Sequence, residues 1–424
     1  MKQGCPASPL LFGLYIDELE KLLKAAEDEI DAPYLIDRIV AILMFADDIA
    51  LLSHSAEGLQ AQLDILAEFC KPRGLEVNVQ KTKVVVFEKV KSSSPAFVFS
   101  DQRIEQVDSF KYLGIVFHGN RGMSCAVEQL ACAAQKAMFA MLGACQQKHI
   151  HQPELKLKLF DALVRPVLSY ACEVWAPLGG KAALETLEQV HKKFLRGLLG
   201  VSKSTCLKMI YAEFGRLPLQ HFWWQQCMKY IQRLQDMDGS RLCKLAYVAE
   251  CRNGLGWWKG VDLRCTSLGI QPPLPGTEFS ASNFIDIDQR NAVDELMTPK
   301  ADSRKEHMYF SFKSAFQLEK YIMQAKNQHL RRILASFRVG SHWLKVQTGR
   351  YTNTEYSERI CDSCGHAVDD EIHTIFVCSA HDRLRVKYAD LFSQIVGHDM
   401  QAFLMQDAVH RIALFLTECR ALRQ

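Results

Sequence analysis

The most apolar run in this chain, Ile39 to Leu52, is split by two adjacent aspartates, Asp47 and Asp48. Two charges in its middle exclude a membrane span, which needs about 18 nearly unbroken apolar residues. What remains is a pair of strand-length arms, Ile39 to Phe45 and Ile49 to Leu52, and a β-hairpin with an acidic corner is the simplest structure they can form. Like charges repel, and the flanking arms are apolar enough to be buried, so a divalent cation would relieve the repulsion. At a turn both carboxylates can approach one ion, whereas along a straight strand they would diverge. A solvated Asp-Asp turn carries the same dipeptide, so the pair alone does not decide between the two.

The neighbouring segments frame this corner. Leu10, Leu11, Leu14, Tyr15, Leu19, Leu22 and Leu23 recur at helical spacing and predict a helix over 7–27 with one buried face. Ser55 is placed to cap a second helix running to about Lys71, with Leu59, Leu63, Leu66 and Phe69 on one face and Pro72-Arg73-Gly74 ending it. Strands are expected at Leu75–Val79, Val84–Phe87, Phe97–Phe99 and Phe110–Phe117, with a serine-rich connection at Lys91–Ser94. Beyond Gly119 the period becomes helical, over Cys125–Gln146, Glu154–Trp175, Ala182–Leu199 and Leu219–Leu245. Pro272-Pro273 and Pro275-Gly276 mark 251–300 as an irregular linker.

With 424 residues, 48% of them hydrophobic, the chain can bury more than one core. Its N-terminus lacks the apolar stretch of a signal peptide, which gives a nuclear or cytoplasmic expectation, not secreted and with no membrane partner. The fifteen cysteines then read as reduced thiols rather than a disulfide framework. A net charge of +3 does not announce a nucleic-acid binder. Lys300–Thr352, however, carries eleven Lys and Arg against three Asp and Glu, with Phe310, Phe312, Phe316, Tyr321, Phe337 and Trp343 interleaved. Such a segment could follow a phosphate backbone and stack on bases, or be a helical pair with a solvated basic face and a buried aromatic stripe.

Four motifs stand in a fixed order: Gln3-Gly4-Cys5-Pro6-Ala7-Ser8-Pro9, Phe45-Ala46-Asp47-Asp48, Gly74-Leu75-Glu76-Val77-Asn78 through Lys81-Thr82-Lys83, and Tyr112-Leu113-Gly114. Together they resemble palm motifs B, C, D and E of reverse transcriptases, most closely those of non-LTR retrotransposons. The resemblance implies an RNA-directed DNA polymerase using two-metal nucleotidyl transfer, with Asp47 and Asp48 as catalytic Mg2+ ligands. Gln3 and Gly4 would lie beside the nascent base pair, Phe45 beneath the primer end, and Lys81 or Lys83 against the triphosphate. Tyr112, Leu113 and Gly114 would form the primer grip. The implied partners are an RNA template, a DNA primer and deoxynucleoside triphosphates. Leu163 to Tyr170, Glu173-Val174-Trp175, Phe194-Leu195-Arg196 and Glu213 to Pro218 resemble the thumb that follows. Because the residues begin within motif B, the motif A aspartate is not among them, and the expectation is that this polypeptide alone does not extend a primer. A non-catalytic, zinc-containing nucleic-acid-binding protein derived from a retroelement is the alternative.

Near the end, Cys361 and Cys364 are separated by two residues, His373 follows after eight, and Cys378 after four. Three thiolates and one imidazole suit tetrahedral, structural Zn2+. His366 and His381 are rival ligands that spacing does not exclude. The set resembles the cysteine-histidine motif downstream of many non-LTR reverse transcriptases, with Asp370, Glu371, Arg350 and Arg359 extending the likeness. The expected fold is α+β: a partial reverse-transcriptase palm (antiparallel sheet with helices) over 1–120, a helical thumb-like region over 121–250, the linker over 251–300, and a basic helical region with the zinc motif over 301–424.

Overall fold

The structure, a computed structural model, describes residues 7–88, 96–325 and 327–423. Its chain divides into two compact units, one of Met1–Gln129, Glu173–Gly179 and Cys227–Ser280, the other of Leu130–Cys172, Gly180–Gln226 and Ala281–Gln424. The α+β class holds, with many helices and a few small, mostly antiparallel sheets. No helix among the described residues is long and apolar enough to cross a membrane.

In the first unit, helices Ser8–Ala25 and Ala56–Cys70 bury Leu19, Leu23, Leu63, Leu66 and Phe69 in one core, which Ile42 of the acidic hairpin joins. Ser55 caps the second helix by accepting from the Gly58 N–H at 3.2 Å. Gly58 admits no larger residue, since an added Cβ would stand 2.4 Å from the Ile30 carbonyl oxygen. The first helix forms as expected but its buried face is narrower: Ile16, Leu19 and Leu23 are buried, while Leu10, Leu11, Leu14, Tyr15 and Leu22 are exposed. Packing begins only near Tyr15, whose hydroxyl donates to the Arg73 carbonyl at 2.9 Å.

The strands differ from expectation in detail. Leu75–Val79 is an irregular stretch, and the next strand is only Lys83–Val84, paired in parallel with part of Gln102–Gln106. Phe97–Phe99 pairs antiparallel with the same strand. Phe110–Phe117 is not one strand but a hairpin, Ser109–Tyr112 against Ile115–His118, turning at Leu113 and Gly114. Both turn residues have positive φ, 46° and 86°, the requirement of a turn whose twist matches its strands. Lys91–Ser94 lies outside the described residues.

Ser124–Gln147 and Lys181–Leu199 are helices close to the predicted bounds. Glu154–Trp175 is broken into Pro153–Leu159, a π turn over Phe160–Val164, Arg165–Leu168 and Cys172–Leu178. Pro166 supplies the reason, because it lacks the N–H that would bond the carbonyl four residues back. Leu219–Leu245 divides into Leu219–Asp236 and Leu242–Asn253, where Asp238 accepts from the Ser240 N–H at 2.8 Å and turns the chain. The irregular part of 251–300 is reduced to 254–255, 268–280 and 298–300, since Leu242–Asn253, Gly256–Ser267 and Ala281–Met297 are helices. Trp258, Val261 and Cys265 on the one, and Phe284 and Ala292 on the other, are buried at helical spacing that the surrounding prolines and glycines obscure.

The second unit is organised around a buried ionic cluster. Glu213, fully buried, accepts from the Arg338 guanidinium at 2.9 Å and from the Tyr309 hydroxyl at 2.9 Å. Arg338 also reaches Glu319 at 2.9 Å, and Glu319 pairs with buried Lys313. Two anions thus face two cations out of water. Gly215, next to Glu213, has φ +57° and lies so close to Gln317 that a Cβ would stand 2.5 Å from its Cα.

Candidate active site and metal centre

The acidic hairpin has the expected register, with Ile42 opposite Leu51, Leu43 opposite Ala50, Met44 opposite Ile49 and Phe45 opposite Asp48. Ala46 and Asp47 make a two-residue turn, and Ala46 takes φ +52°, a left-handed value that costs a non-glycine residue about 1–2 kcal/mol. Alternation along each arm sends Ile42, Met44, Ile49 and Leu51 toward the core. Phe45 and Asp48, directly opposite one another, share the outer face. Phe45 is 63% exposed, and Asp47 and Asp48 are exposed beside it. Tyr112 stands near enough that the Asp48 carboxylate, after partial burial, helps to push its phenol up. The structure therefore brings Phe45, Asp47, Asp48 and Tyr112 into one neighbourhood, with Leu113 and Gly114 at the adjoining turn.

Other candidates fare differently. Gln3 and Gly4 lie outside the described residues. Lys83 is not open to a triphosphate: its ammonium donates to Glu105 at 2.8 Å and to the Gln80 carbonyl at 2.7 Å, because parallel pairing sets Lys83 beside Glu105. Lys81 is exposed and has no ion pair among the described residues, so of the two it remains the candidate. Among the described residues no third Asp, Glu, His or Cys joins Asp47 and Asp48 in a compact ligand group.

Such a group does occur in the second unit. The ligand atoms of Cys361, Cys364, His373 and Cys378 all lie within 4.8 Å of one another. Cys361 Sγ stands 3.9 Å from Cys378 Sγ, and Cys364 Sγ stands 3.3 Å from His373 Nε2. Zn–S and Zn–N bonds at tetrahedral angles imply about 3.8 Å between sulfurs and about 3.6 Å between sulfur and nitrogen, so the donor set fits that ion. Local structure explains the convergence. An isolated bridge between Ile360 and Val368, the Cys361 N–H on the Ala367 carbonyl at 2.9 Å, and Gly365 at φ +73° form a knuckle carrying the first two cysteines. A π turn over His373–Val377 ends with the Cys378 N–H on the His373 carbonyl at 2.7 Å, which presents two residues five apart to one point.

The thiols are unequal. Burial, with the neighbouring Cys361 sulfur, pushes Cys378 up to about 11. Cys364 is lowered despite burial, by backbone N–H groups of His366 and Ala367 and by the adjacent thiols. Three sulfurs this close cannot all ionise without a cation, while burial keeps His373 in the neutral form that ligates. The rival histidines stand apart, since His366 is exposed and buried His381 has Nδ1 on the Thr374 carbonyl at 2.9 Å. Asp370 supports the centre by accepting from the His373 N–H at 2.8 Å and from the Tyr356 hydroxyl at 3.1 Å. Asp369, which receives the Lys345 N–H at 2.8 Å, and Arg385, which donates to the Cys378 carbonyl at 2.7 Å, were not singled out by spacing. The fourteen described cysteines are all free thiols.

Residues 1–117 match the family described as reverse transcriptase (RNA-dependent DNA polymerase). These first 117 residues are homologous to reverse transcriptases, and the relatives that the chain matches are proteins of non-LTR retrotransposons. It is 25% identical over 254 residues to the Pol polyprotein of the type-2 retrotransposable element R2DM of Drosophila melanogaster, covering 57% of this chain and 23% of that one. It is 21% identical over 257 residues to the RNA-directed DNA polymerase of the mobile element jockey of Drosophila funebris, covering 58% and 27%. A putative uncharacterized transposon-derived protein of Caenorhabditis elegans is 28% identical over 165 residues, or 38% of this chain and 57% of that protein. In each case the aligned stretch spans less than two thirds of the relative's own length.

Proposed function

We propose that Asp47 and Asp48 are metal-holding carboxylates of a reverse-transcriptase palm, which adds deoxynucleotides to a DNA primer on an RNA template. The observation that carries this reading is the strained, exposed acidic turn, with Phe45 and Tyr112 beside it, within the stretch that matches the family. Mg2+ held by the two aspartates would offset charge at the attacking primer hydroxyl and the leaving pyrophosphate. Phe45 offers an apolar surface for the primer end, Lys81 a cation for the triphosphate, and the Tyr112-Leu113-Gly114 turn a grip on the primer. Gln3 and Gly4 complete the nucleotide side in this reading. The helices that follow serve as a thumb, and Zn2+ on Cys361, Cys364, His373 and Cys378 closes a structural module.

Two carboxylates are fewer than two-metal transfer uses, and the described residues add no third to the pair. On this reading the 424 residues by themselves do not extend a primer. That same observation favours a second reading, a zinc-containing protein that binds nucleic acid without chemistry. Primer extension on an RNA template, run beside Mn2+ relaxation enhancement, separates the two. The polymerase reading expects no product but Mn2+ bound near the hairpin and lost in Asp47→Ala. Absence of Mn2+ binding there supports the second reading, and product abolished by Asp47→Ala overturns the claim of inactivity.

A further inference from the structure

Of the eleven basic residues in Lys300–Thr352, several are consumed within the second unit. Lys313 and Arg338 belong to the buried cluster, buried Arg331 donates to the Ile322 and Ala325 carbonyls, Arg304 pairs with Asp370 and Lys345 with Asp362. Lys305, Arg332 and Arg350 are different, because none has an ion pair or side-chain hydrogen bond among the described residues. Exposed Lys203, from another part of the same unit, shares this property.

A chain of contacts links the segments that carry these four cations. The Lys305 stem lies across Gly340, whose added Cβ would stand 2.7 Å from Lys305 Cε, and the Arg332 stem lies across Gly200 at 3.0 Å in the same sense. Two residues beyond Gly200, Ser202 Oγ meets Ser341 Oγ at 3.0 Å and Ser204 Oγ at 2.9 Å. Ser204 in turn meets the Tyr351 hydroxyl at 3.1 Å. Tyr351 follows Arg350, and the guanidinium of Arg350 is close enough to Lys305 to act on it. Burial first, and that neighbouring charge second, push the Lys305 ammonium down to about 8. Glu306 and Glu371, the acids nearest Lys305, are already engaged, Glu306 by the Lys300 N–H at 2.9 Å and Glu371 by His342 at 2.8 Å. Like charges gathered around hydroxyls, with the nearby carboxylates already engaged by other groups, are costly unless an anion completes them. Tyr351 is 67% exposed while its hydroxyl is tethered, so its ring is held open to a flat partner.

We propose that Lys203, Lys305, Arg332 and Arg350 form a seat for consecutive phosphates of a nucleic-acid strand, with Tyr351 stacking on one of its bases. It deepens the nucleic-acid reading above and is independent of polymerase chemistry at Asp47 and Asp48. The four cations bind without reading sequence, since their guanidinium and ammonium groups serve phosphodiester oxygens, and the stacked ring accepts any base. A single strand is the favoured ligand because a base must leave its stack to reach Tyr351.

Fluorescence anisotropy of the full chain with labelled 20-nucleotide single-stranded RNA, single-stranded DNA and duplex DNA, at several salt concentrations, tests this. Changing Lys203, Arg332 and Arg350 together to Gln is expected to weaken single-strand binding at least tenfold and to reduce the salt slope by about 2, at ~0.7 for each phosphate that is no longer neutralised. Tyr351→Ala is expected to weaken it about tenfold with the salt slope unchanged. A charge-matched control, Lys158, Lys181 and Lys320 to Gln, should bind as the parent does. Equal losses in the control, or unchanged affinity in both site variants with the melting temperature preserved, overturns the proposal. Should the triple variant unfold, Tyr351→Ala alone decides, since its ring is mostly exposed. Preference for duplex over either single strand also counts against the seat. Mn2+ binding at the hairpin is a separate readout, so failure at the palm and failure of the seat are told apart.

Discussion

Replacing Glu213 by Gln tests what holds the second unit together. In the wild type, Glu213 and Glu319 balance Arg338 and Lys313, all four of them buried. Glu213→Gln keeps the shape but leaves two cations facing one anion, an unpaired buried charge. Removing one partner from such a pair costs about 3–5 kcal/mol, a large part of the roughly 5–15 kcal/mol that stabilises a domain. Arg338→Met added to Glu213→Gln restores neutrality and should return much of the loss, because two buried charges then leave together. The pH dependence supplies an independent sign. Burial alone would raise Glu213, but the Arg338 guanidinium outweighs it and holds the carboxyl below its ordinary 4.5. A lowered carboxyl stabilises fully above the unfolded value and loses that contribution as pH falls through the lower folded one. The gap between wild type and Glu213→Gln should therefore be constant from pH 8 to 6 and shrink as pH falls below about 4. Urea unfolding monitored by tryptophan fluorescence over that range measures both effects. A penalty below about 1 kcal/mol at pH 7, or a gap that widens in acid, would refute the argument that this cluster is a neutral, mutually compensated unit.

Other outcomes follow from single features. Arg331→Ala, which strips buried carbonyls of a charged donor, should destabilise by about 2 kcal/mol, while Arg332→Ala should leave the thermal midpoint nearly unchanged and weaken strand binding; equal melting of the two variants would contradict their different burial. Ala46→Gly should stabilise the hairpin by roughly 0.5–1 kcal/mol, because relief of the left-handed strain exceeds the added chain entropy, and a lower urea midpoint would show that Ala46 is not strained. Metal analysis of the purified chain should give about one zinc per molecule, falling in Cys361→Ser, with a chelator lowering the melting temperature of the parent only; no zinc in either protein removes the proposed centre.

How far the chain could be read in advance depended on whether the deciding contact was local. The acidic hairpin and the Cys361, Cys364, His373, Cys378 group are short-range patterns, so their spacing carried enough to place them. Even there, periodicity could not say that His373 rather than His381 would meet the cysteines. That choice rests on a π turn which brings residues five apart to one point, whereas an ordinary helix brings residues three or four apart together. Lys83 and Arg331 show the limit more sharply. In sequence Lys83 reads as a candidate for the triphosphate and Arg331 as part of a basic segment that could follow a phosphate backbone, yet each is claimed by a partner whose position only the fold determines: Glu105 through a parallel strand pair, and the Ile322 and Ala325 carbonyls through a helix end folded back on Arg331. Glu213 is the fullest case. Its segment, Glu213 to Pro218, resembled a thumb motif, yet the reason for those residue types lies 125 positions away at Arg338, and at Gln317, whose backbone leaves no room for a side chain on Gly215. A motif in this chain can thus be recognisable in sequence because of long-range packing, and the same residues need not touch a template or primer to be required.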